Sequence, residues 1–410
     1  MKKMISVAEA KGLIADSVLR LDAVEVKLME GLGRCLAEDI FSPIDMPGFA
    51  QSAMDGYAFS WRGYEEFGKM EIVGEVAAGA AEAGPRPAPY QAVRIFTGAP
   101  VPEGFDTVLM QEKASVGDGM LEVLDPDLIC GRNVRLAGSE IAMGSLAMKK
   151  GTILTAAGIG FLASLGLEKL VVVREPRATL IVTGDELQQP GLPLGFGQVY
   201  ESNSQLLQAA FLHLRFSQPK IVYAKDDLPG LTESIRLAML DSDMIVLTGG
   251  VSVGDYDFVV PAAEAAGTTS VFHKIKQKPG KPMFFGVKDC GVDVKTDLVT
   301  PKQTVVFGLP GNPASVLSCF YQYVLTALEV ASGCPVSLKV KTATFIDGYK
   351  KNPGLTHFLK GIYSDGVVRL LGAQESYRLS SFSVANCLIE IPEESSEIAA
   401  GASVLVHLFG

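Results

Sequence analysis

Two sets of side chains in this sequence could do chemistry together. One is acidic: Glu186, Asp226, Asp227, Asp255 and Asp257. The other is basic: Lys274, Lys276, Lys278 and Lys281. Carboxylate oxygens beside glycine turns suit Mg2+ bridging phosphates. Nearby ammonium groups suit phosphate or another oxyanion, as point charges. The pairing points to phosphoryl or nucleotidyl chemistry, with charge stabilised and no protein nucleophile used. No GxxxxGK[ST] and no GxGxxG occurs, so ordinary ATP-loop and dinucleotide sites lack support. A solvated strand face would account for single lysines; it accounts less well for four of them around Pro279, Gly280 and Pro282.

The stretch 243–258, DMIVLTGGVSVGDYDF, shows how such groups could be positioned. Met244 to Leu247 is a short apolar run suited to a strand buried on both faces. Thr248, Gly249 and Gly250 break it, and a helix pattern follows from Asp255. A strand, a glycine turn and a helix N-terminus offer backbone N–H groups to an anion. Alone, the stretch is equally well an ordinary βα turn. Its surroundings extend the pattern. Strands are predicted at 178–183, 220–224, 244–247, 270–275, 283–287 and 305–307. Helices are predicted at 203–214 (Asn203 as cap), 231–240, 258–266 and 314–327. This alternation predicts a mostly parallel sheet wrapped by helices, with ligands at the carboxyl ends of its strands. Those ends carry TGDEL (183–187), KDD (225–227), TGGVSVGDYD (248–257), KIKQKPGKP (274–282) and GLPGNP (308–313). Pro310 and Pro313 around Gly311 and Asn312 fix a rigid turn before a helix.

The flanking segments have other rhythms. Residues 1–40 are helical in pattern, with Val7, Ala10, Ile14, Val18 and Leu21 at three- and four-residue steps and a second apolar set from Val24 to Leu36. Residues 141–170 return to helix, and the two helical stretches are expected to pack together. Between them, 68–140 alternates in the β manner, a small β domain inserted in a helical one. By composition 41–60 is a linker; the competing possibility is a loop that delivers Asp55 to a site. After about 331 the pattern is β again, a small barrel or sandwich.

Bulk properties set outer limits. The 410 residues exceed one ordinary core. The net charge of −10, from 36 basic and 46 acidic residues, argues against nucleic-acid binding. Six scattered cysteines without a CxxC pair fit reduced thiols of a cytosolic protein. Four histidines, none in HExxH, argue against a zinc site. The N-terminus has no signal-peptide pattern. The uncharged runs 151–167 and 303–328 are cut by glycine and proline, so no membrane span is expected.

The chain resembles the MoeA-type molybdopterin molybdenumtransferase family, also found as the E domain of gephyrin. The motifs are DMPGFAQSAMDGYA (45–58), FTGAPVPEGFDTVLMQE (96–112), TGDEL, TGGVSVGDYD, KPGKP (278–282) and LPGNP (309–313), spread over essentially the whole length. The resemblance implies a multidomain α/β plus β fold. Its parts are an elongated helical domain (1–44 and 141–174), an inserted β domain carrying the SAMDGYA loop (45–140), a molybdopterin-binding α/β domain (175–330) and a C-terminal β barrel (331–410). It further implies an elongated cytoplasmic homodimer with a site shared between subunits. The implied reaction takes adenylylated molybdopterin and molybdate, cleaves the phosphoanhydride with Mg2+, inserts the metal at the dithiolene and releases AMP. Molybdopterin adenylyltransferase would act upstream, and neither nucleic acid nor membrane is implied as a partner.

By motif, the resemblance assigns Asp55, Thr97, Glu186, Asp226 and Asp257 to catalysis, the last three also to the metal. It assigns Gly249, Gly250, Ser252, Gly254, Lys274, Lys278, Lys281, Pro310, Gly311, Asn312 and Pro313 to the pterin and phosphate site. Arg135, Glu140, Lys360, Ser381 and Ser383 are assigned to molybdate or to support. On this basis the 41–60 segment would reach a partner's pocket instead of linking domains. Two positions depart from the family: Glu140 replaces a frequent Asp, and Lys360 a common Arg, which would lose the bidentate fork. The segment 288–303 receives no role. Two alternatives are a non-catalytic molybdopterin-binding or scaffold relative, and a generic Mg2+-dependent nucleotidyl enzyme.

Overall fold

The structure is a computed structural model that describes residues 4–80, 86–251, 257–293, 300–336 and 338–409. The chain divides into two compact units, Met1–Glu25 with Gly33–Cys35 and Val171–Gly410, and Val26–Leu32 with Leu36–Leu170.

The first unit is built on a six-stranded sheet of β1 (Ala178–Val182), β2 (Lys220–Tyr223), β3 (Met244–Thr248), β4 (Thr269–His273), β5 (Phe284–Asp293) and β6 (Thr300–Leu309), in the order β2-β1-β3-β6-β5-β4. The first four in that order are mutually parallel, and antiparallel pairing joins β6 to β5 and β5 to β4. All five residues of β3 are buried, as expected of a central strand covered on both faces. Alternate residues serve the two faces. Leu180, Val246 and Phe307 join the core made with helices α1 (Val7–Ser17), α2 (Asn203–His213), α5 (Pro313–Cys319) and α6 (Leu325–Ser332). Ile181, Leu247 and Val306 join the core made with α3 (Leu228–Ala238) and α4 (Val259–Ala265). A π-helical turn, Phe320–Val324, makes α5 and α6 one helix of 20 residues. That helix is long and apolar enough to cross a membrane, but 78% of its apolar window is buried inside the protein.

The C-terminal strands β7 (Lys339–Phe345), β8 (Thr356–Ser364), β9 (Val367–Leu370), β10 (Cys387–Ile391) and β11 (Ala402–Leu408) close on themselves as a five-stranded barrel. A short strand, Gln277–Lys278, adds in parallel to β8. The second unit holds a six-stranded sheet in which Gly56–Phe59 lies between Gln91–Ile95 and Thr107–Met110.

Several expectations are corrected. Helix in 4–40 is limited to Val7–Ser17, because the second apolar set forms the strand Ala23–Lys27 and a 3-10 turn, Leu28–Gly31. That helix packs in the first unit, sharing a core with Leu325 and Leu328, instead of with 141–170. Within 141–170, regular helix is confined to Ala156–Ser164, and Leu146–Met148 pairs as a strand with Ile40–Phe41. The linker assignment of 41–60 fails: Gly56–Phe59 is an interior strand with Ala58 and Phe59 fully buried. Helix α2 is capped at Ser202, while Glu201 accepts from the Ser204 N–H at 2.9 Å. The Asn203 amide instead donates to the Gly311 carbonyl at 2.8 Å.

Candidate functional site

In the order β2-β1-β3 the chain leaves β1 to one side and returns on the other, which makes the carboxyl ends of β1 and β3 a topological switch point. A cleft of about 260 Å3 opens there, lined by Thr183, Gly184 and Glu186 after β1, Asp226 after β2, Gly249 to Val251 after β3, and Pro310 to Asn312 after β6, with Pro282 beside them. All four parallel strands therefore contribute. Thr183 Oγ1 donates to Asp226 Oδ1 at 3.0 Å, which fixes that carboxylate between the ends of β1 and β2. Gly249 has φ +92°, and a Cβ on it would stand 2.8 Å from the Thr183 carbonyl. Only glycine lets the two strand ends close in this way. A Cβ on Gly311 would lie 3.8 Å from Gly249 Cα, so glycine backbone faces glycine backbone across the cleft.

A second cavity, about 690 Å3, shares Pro282, Pro310 and Asn312 with the first. Lys278 and Lys281 line it, with Ser315 of α5, Tyr349, His357 of β8, and Gln374 to Tyr377. The loop at 373–377 is tied to the helix: Asn312 Nδ2 donates to Ser376 Oγ at 2.9 Å, and the Ala314 N–H to the Ser376 carbonyl at 3.1 Å. His357 has its pKa pushed down to about 4, first by burial and then by the charges of Lys278 and Lys351, so it is a neutral imidazole at neutral pH. Two acids line the cleft, while two lysines and one acid, Glu375, line the second cavity, with a proline wall common to both.

The predicted residues separate under this geometry. Glu186, Asp226, Gly249, Gly250, Pro310, Gly311 and Asn312 line the cleft; Lys278 and Lys281 line the basic cavity. Pro313 opens α5. Asp227 is a helix cap, accepting from the Gly230 N–H at 2.7 Å. Lys276 pairs with Glu393 of the barrel at 2.6 Å. Lys274 and Asp257 line neither cavity. Ser252, Gly254 and Asp255 lie outside the described residues, as does part of 288–303.

Three C-terminal residues assigned to molybdate or to support make bonds within the fold. Lys360 is buried, and its ammonium donates to the carbonyls of Ala373 (2.7 Å), Arg378 (3.0 Å) and Glu375 (3.4 Å). Its charge is engaged inside the fold, organising the loop that walls the basic cavity, which fits the support half of its assignment. Ser381 Oγ donates to the same Ala373 carbonyl at 2.8 Å, and Ser383 Oγ closes a turn on the Ser380 carbonyl at 2.7 Å. Tyr349, His357, Gln374 and Ser376 join the site without a sequence expectation for them. His357 had a signal, a polar residue in the apolar run of β8; the others are turn and strand-end residues without one.

For Mg2+, no three His, Cys, Asp or Glu side chains form a ligand set among the described residues, so the expected trio is not assembled. Glu186 and Asp226 remain. Mg2+ commonly takes one or two protein carboxylates and completes its shell with water and substrate phosphates, and these two acids fit that pattern.

In the second unit Asp55 and Thr97 are brought together. Asp55 Oδ1 accepts from both the Thr97 N–H and its hydroxyl, each at 2.8 Å. These bonds, the backbone one first, hold the exposed carboxyl below its usual pKa. Arg94 lies over the Tyr57 and Phe96 rings and donates to Gln111. Arg135 is exposed on the strand paired with Gln51–Ser52, and Glu140 is exposed beside Met46.

Sheet, switch-point cleft and C-terminal barrel define a multidomain α/β protein. Residues 179–330 match the domain described as "Probable molybdopterin binding domain", 5–166 the MoeA N-terminal region (domain I and II), and 342–409 the MoeA C-terminal region (domain IV). The chain belongs to the molybdopterin molybdenumtransferase family, enzymes of molybdenum cofactor biosynthesis. It is 32% identical to the molybdopterin molybdenumtransferase of Haemophilus influenzae, over 94% of this chain and 93% of that one. It is equally 32% identical to molybdopterin molybdenumtransferase 2 of Mycobacterium tuberculosis, over 98% and 99%. A gephyrin of Dictyostelium discoideum is 31% identical over 94% of this chain and 59% of its own length. A crystal structure of a molybdopterin biosynthesis MoeA protein from Pyrococcus horikosii superposes with a TM-score of 0.84 at 29% identity, covering 100% of both chains.

Proposed function

We propose that this enzyme inserts molybdate into adenylylated molybdopterin, with cleavage of the phosphoanhydride and release of AMP. The observation that carries the proposal is the shared wall of Pro282, Pro310 and Asn312, which sets an acidic, glycine-floored cleft beside a basic cavity. Glycine backbone at 249, 250 and 311 admits a pyrophosphate closely. Glu186 and Asp226 would hold Mg2+, which when bound neutralises charge on the phosphate oxygens. Lys278 and Lys281 attract the molybdate dianion, and the proline wall keeps the two ligands adjacent.

The finer scheme belongs to the same proposal. The chain works in the cytoplasm as a homodimer with the four-domain partition given above, and molybdopterin adenylyltransferase supplies its substrate. Asp55 and Thr97 act from the partner subunit, with Arg135 and Glu140 in support. Asp257 belongs to the catalytic and metal set of this scheme, and Lys274 to its pterin and phosphate site. A scaffold without turnover is less favoured, since relatives named as transferases match nearly the whole chain. The test is AMP release from adenylylated molybdopterin with Mg2+, with and without molybdate. Molybdate-dependent release is expected; tight binding without release would move the assignment to a binding module.

A further inference from the structure

The loop that presents Lys278 and Lys281 is held from below by a polar cluster that the transfer scheme does not use. Gln277 is fully buried at the start of this loop. Its Nε2 donates to the carbonyls of Pro279 at 2.9 Å and Gly280 at 3.3 Å. Its Oε1 accepts from the hydroxyl of Tyr323, itself fully buried on the π-helical turn. The loop closes on itself through the Ile275 N–H, which donates to the Lys281 carbonyl at 3.0 Å. Beneath it there is no spare room: Gly280 has φ +88°, and a Cβ there would stand 2.5 Å from Cys319 Sγ and 2.8 Å from Gln277 Nε2.

Each contact has a reason in the sequence. A glutamine amide is the one neutral side chain with two donors and an acceptor at this reach, so it can hold two carbonyls while accepting one hydroxyl. Burial raises the Tyr323 phenol well above its ordinary pKa, so it remains a donor. The π-helical turn adds one residue to the helix register, a device found often at functional sites. With the Pro279 and Gly280 carbonyls drawn inward, Lys278 and Lys281 are left lining the basic cavity.

We infer that Gln277 and Tyr323 are positioning residues that fix the spacing of Lys278 and Lys281 for a tetrahedral dianion. This rests on the proposed role of those lysines. Tyr323 acts from beneath the loop that carries the lysines, and Gln277 holds the loop from the buried floor of the basic cavity. The helix that begins at the cleft with Pro313 therefore also sets the geometry of the basic cavity, through Tyr323.

The test uses the full chain, with Tyr323→Phe and Gln277→Met measured beside Lys278→Met and Lys281→Met. The readouts are the molybdate KM and kcat for AMP release, the Kd for molybdate alone by calorimetry, and the thermal midpoint. Tyr323→Phe is expected to raise the molybdate KM and Kd about ten-fold, the worth of one buried hydrogen bond, with kcat at saturating molybdate nearly unchanged. Gln277→Met is expected to act in the same direction and more strongly. A lowered thermal midpoint with an unchanged molybdate Kd in both variants would make the cluster purely structural and overturn the inference. Unchanged Kd in Lys278→Met and Lys281→Met would overturn the underlying lysine assignment, a distinguishable failure.

Discussion

At the scale of single residues, the position of a charged group relative to the core separates ligand from scaffold. Lys278 and Lys281 line a cavity, whereas Lys360 donates to three carbonyls from a buried position. Lys360→Met should therefore act on stability, costing about 2–4 kcal/mol because buried carbonyls lose a charged donor. Denaturant unfolding measures this, and a variant as stable as the parent would contradict it. At Asp55 the two Thr97 hydrogen bonds make a different prediction. Thr97→Val removes the hydroxyl bond and leaves the backbone one, so the Asp55 pKa should rise part of the way toward its ordinary value in an NMR titration. An unmoved pKa would show that the hydroxyl bond does not form in solution. The sequence could name acids and lysines at strand ends, but not which of them would face inward: Asp227, Lys276 and Lys360 have the same side chains as their neighbours and found partners within the fold.

Among elements, the parallel strands were legible because they are short, apolar and bounded by glycine, charge or both. A strand covered on both faces needs no polar alternation, and β3 was readable from Met244 to Leu247 as an unbroken apolar run for that reason. The segment from Val24 to Leu36 was not, since a short apolar run fits helix and strand equally. Gly56–Phe59 was hidden in a stretch rich in small residues, whose packing role depends on two neighbouring strands from elsewhere in the chain. The strand Gln277–Lys278 joins the barrel at β8 and places His357 beside Lys278. The folded pKa of His357 is about 4 against an ordinary 6.5, so the unfolded chain binds the additional proton between those values. Its contribution to stability is intact above pH 6.5 and is lost as the pH falls toward 4. His357→Gln should flatten that part of the pH–stability curve; an unchanged slope would place the acid sensitivity elsewhere.

For the whole molecule, the two units have separate cores, and the acid–hydroxyl pair of Asp55 and Thr97 belongs to one while the cleft and basic cavity belong to the other. The proposed sharing of the site between subunits makes a physical prediction: in sedimentation at micromolar concentration the chain should run at twice its monomer mass, and a monomer with full activity would contradict the shared site. The central claim is that the switch-point cleft and the lysine cavity together perform molybdate-dependent cleavage. Its most direct test is the rate of AMP release from adenylylated molybdopterin, with and without molybdate, for the parent and for Asp226→Asn. The account predicts molybdate-dependent release in the parent and a loss of at least about 100-fold in the variant, with the fold intact. Equal release from both proteins, or release indifferent to molybdate, would contradict it.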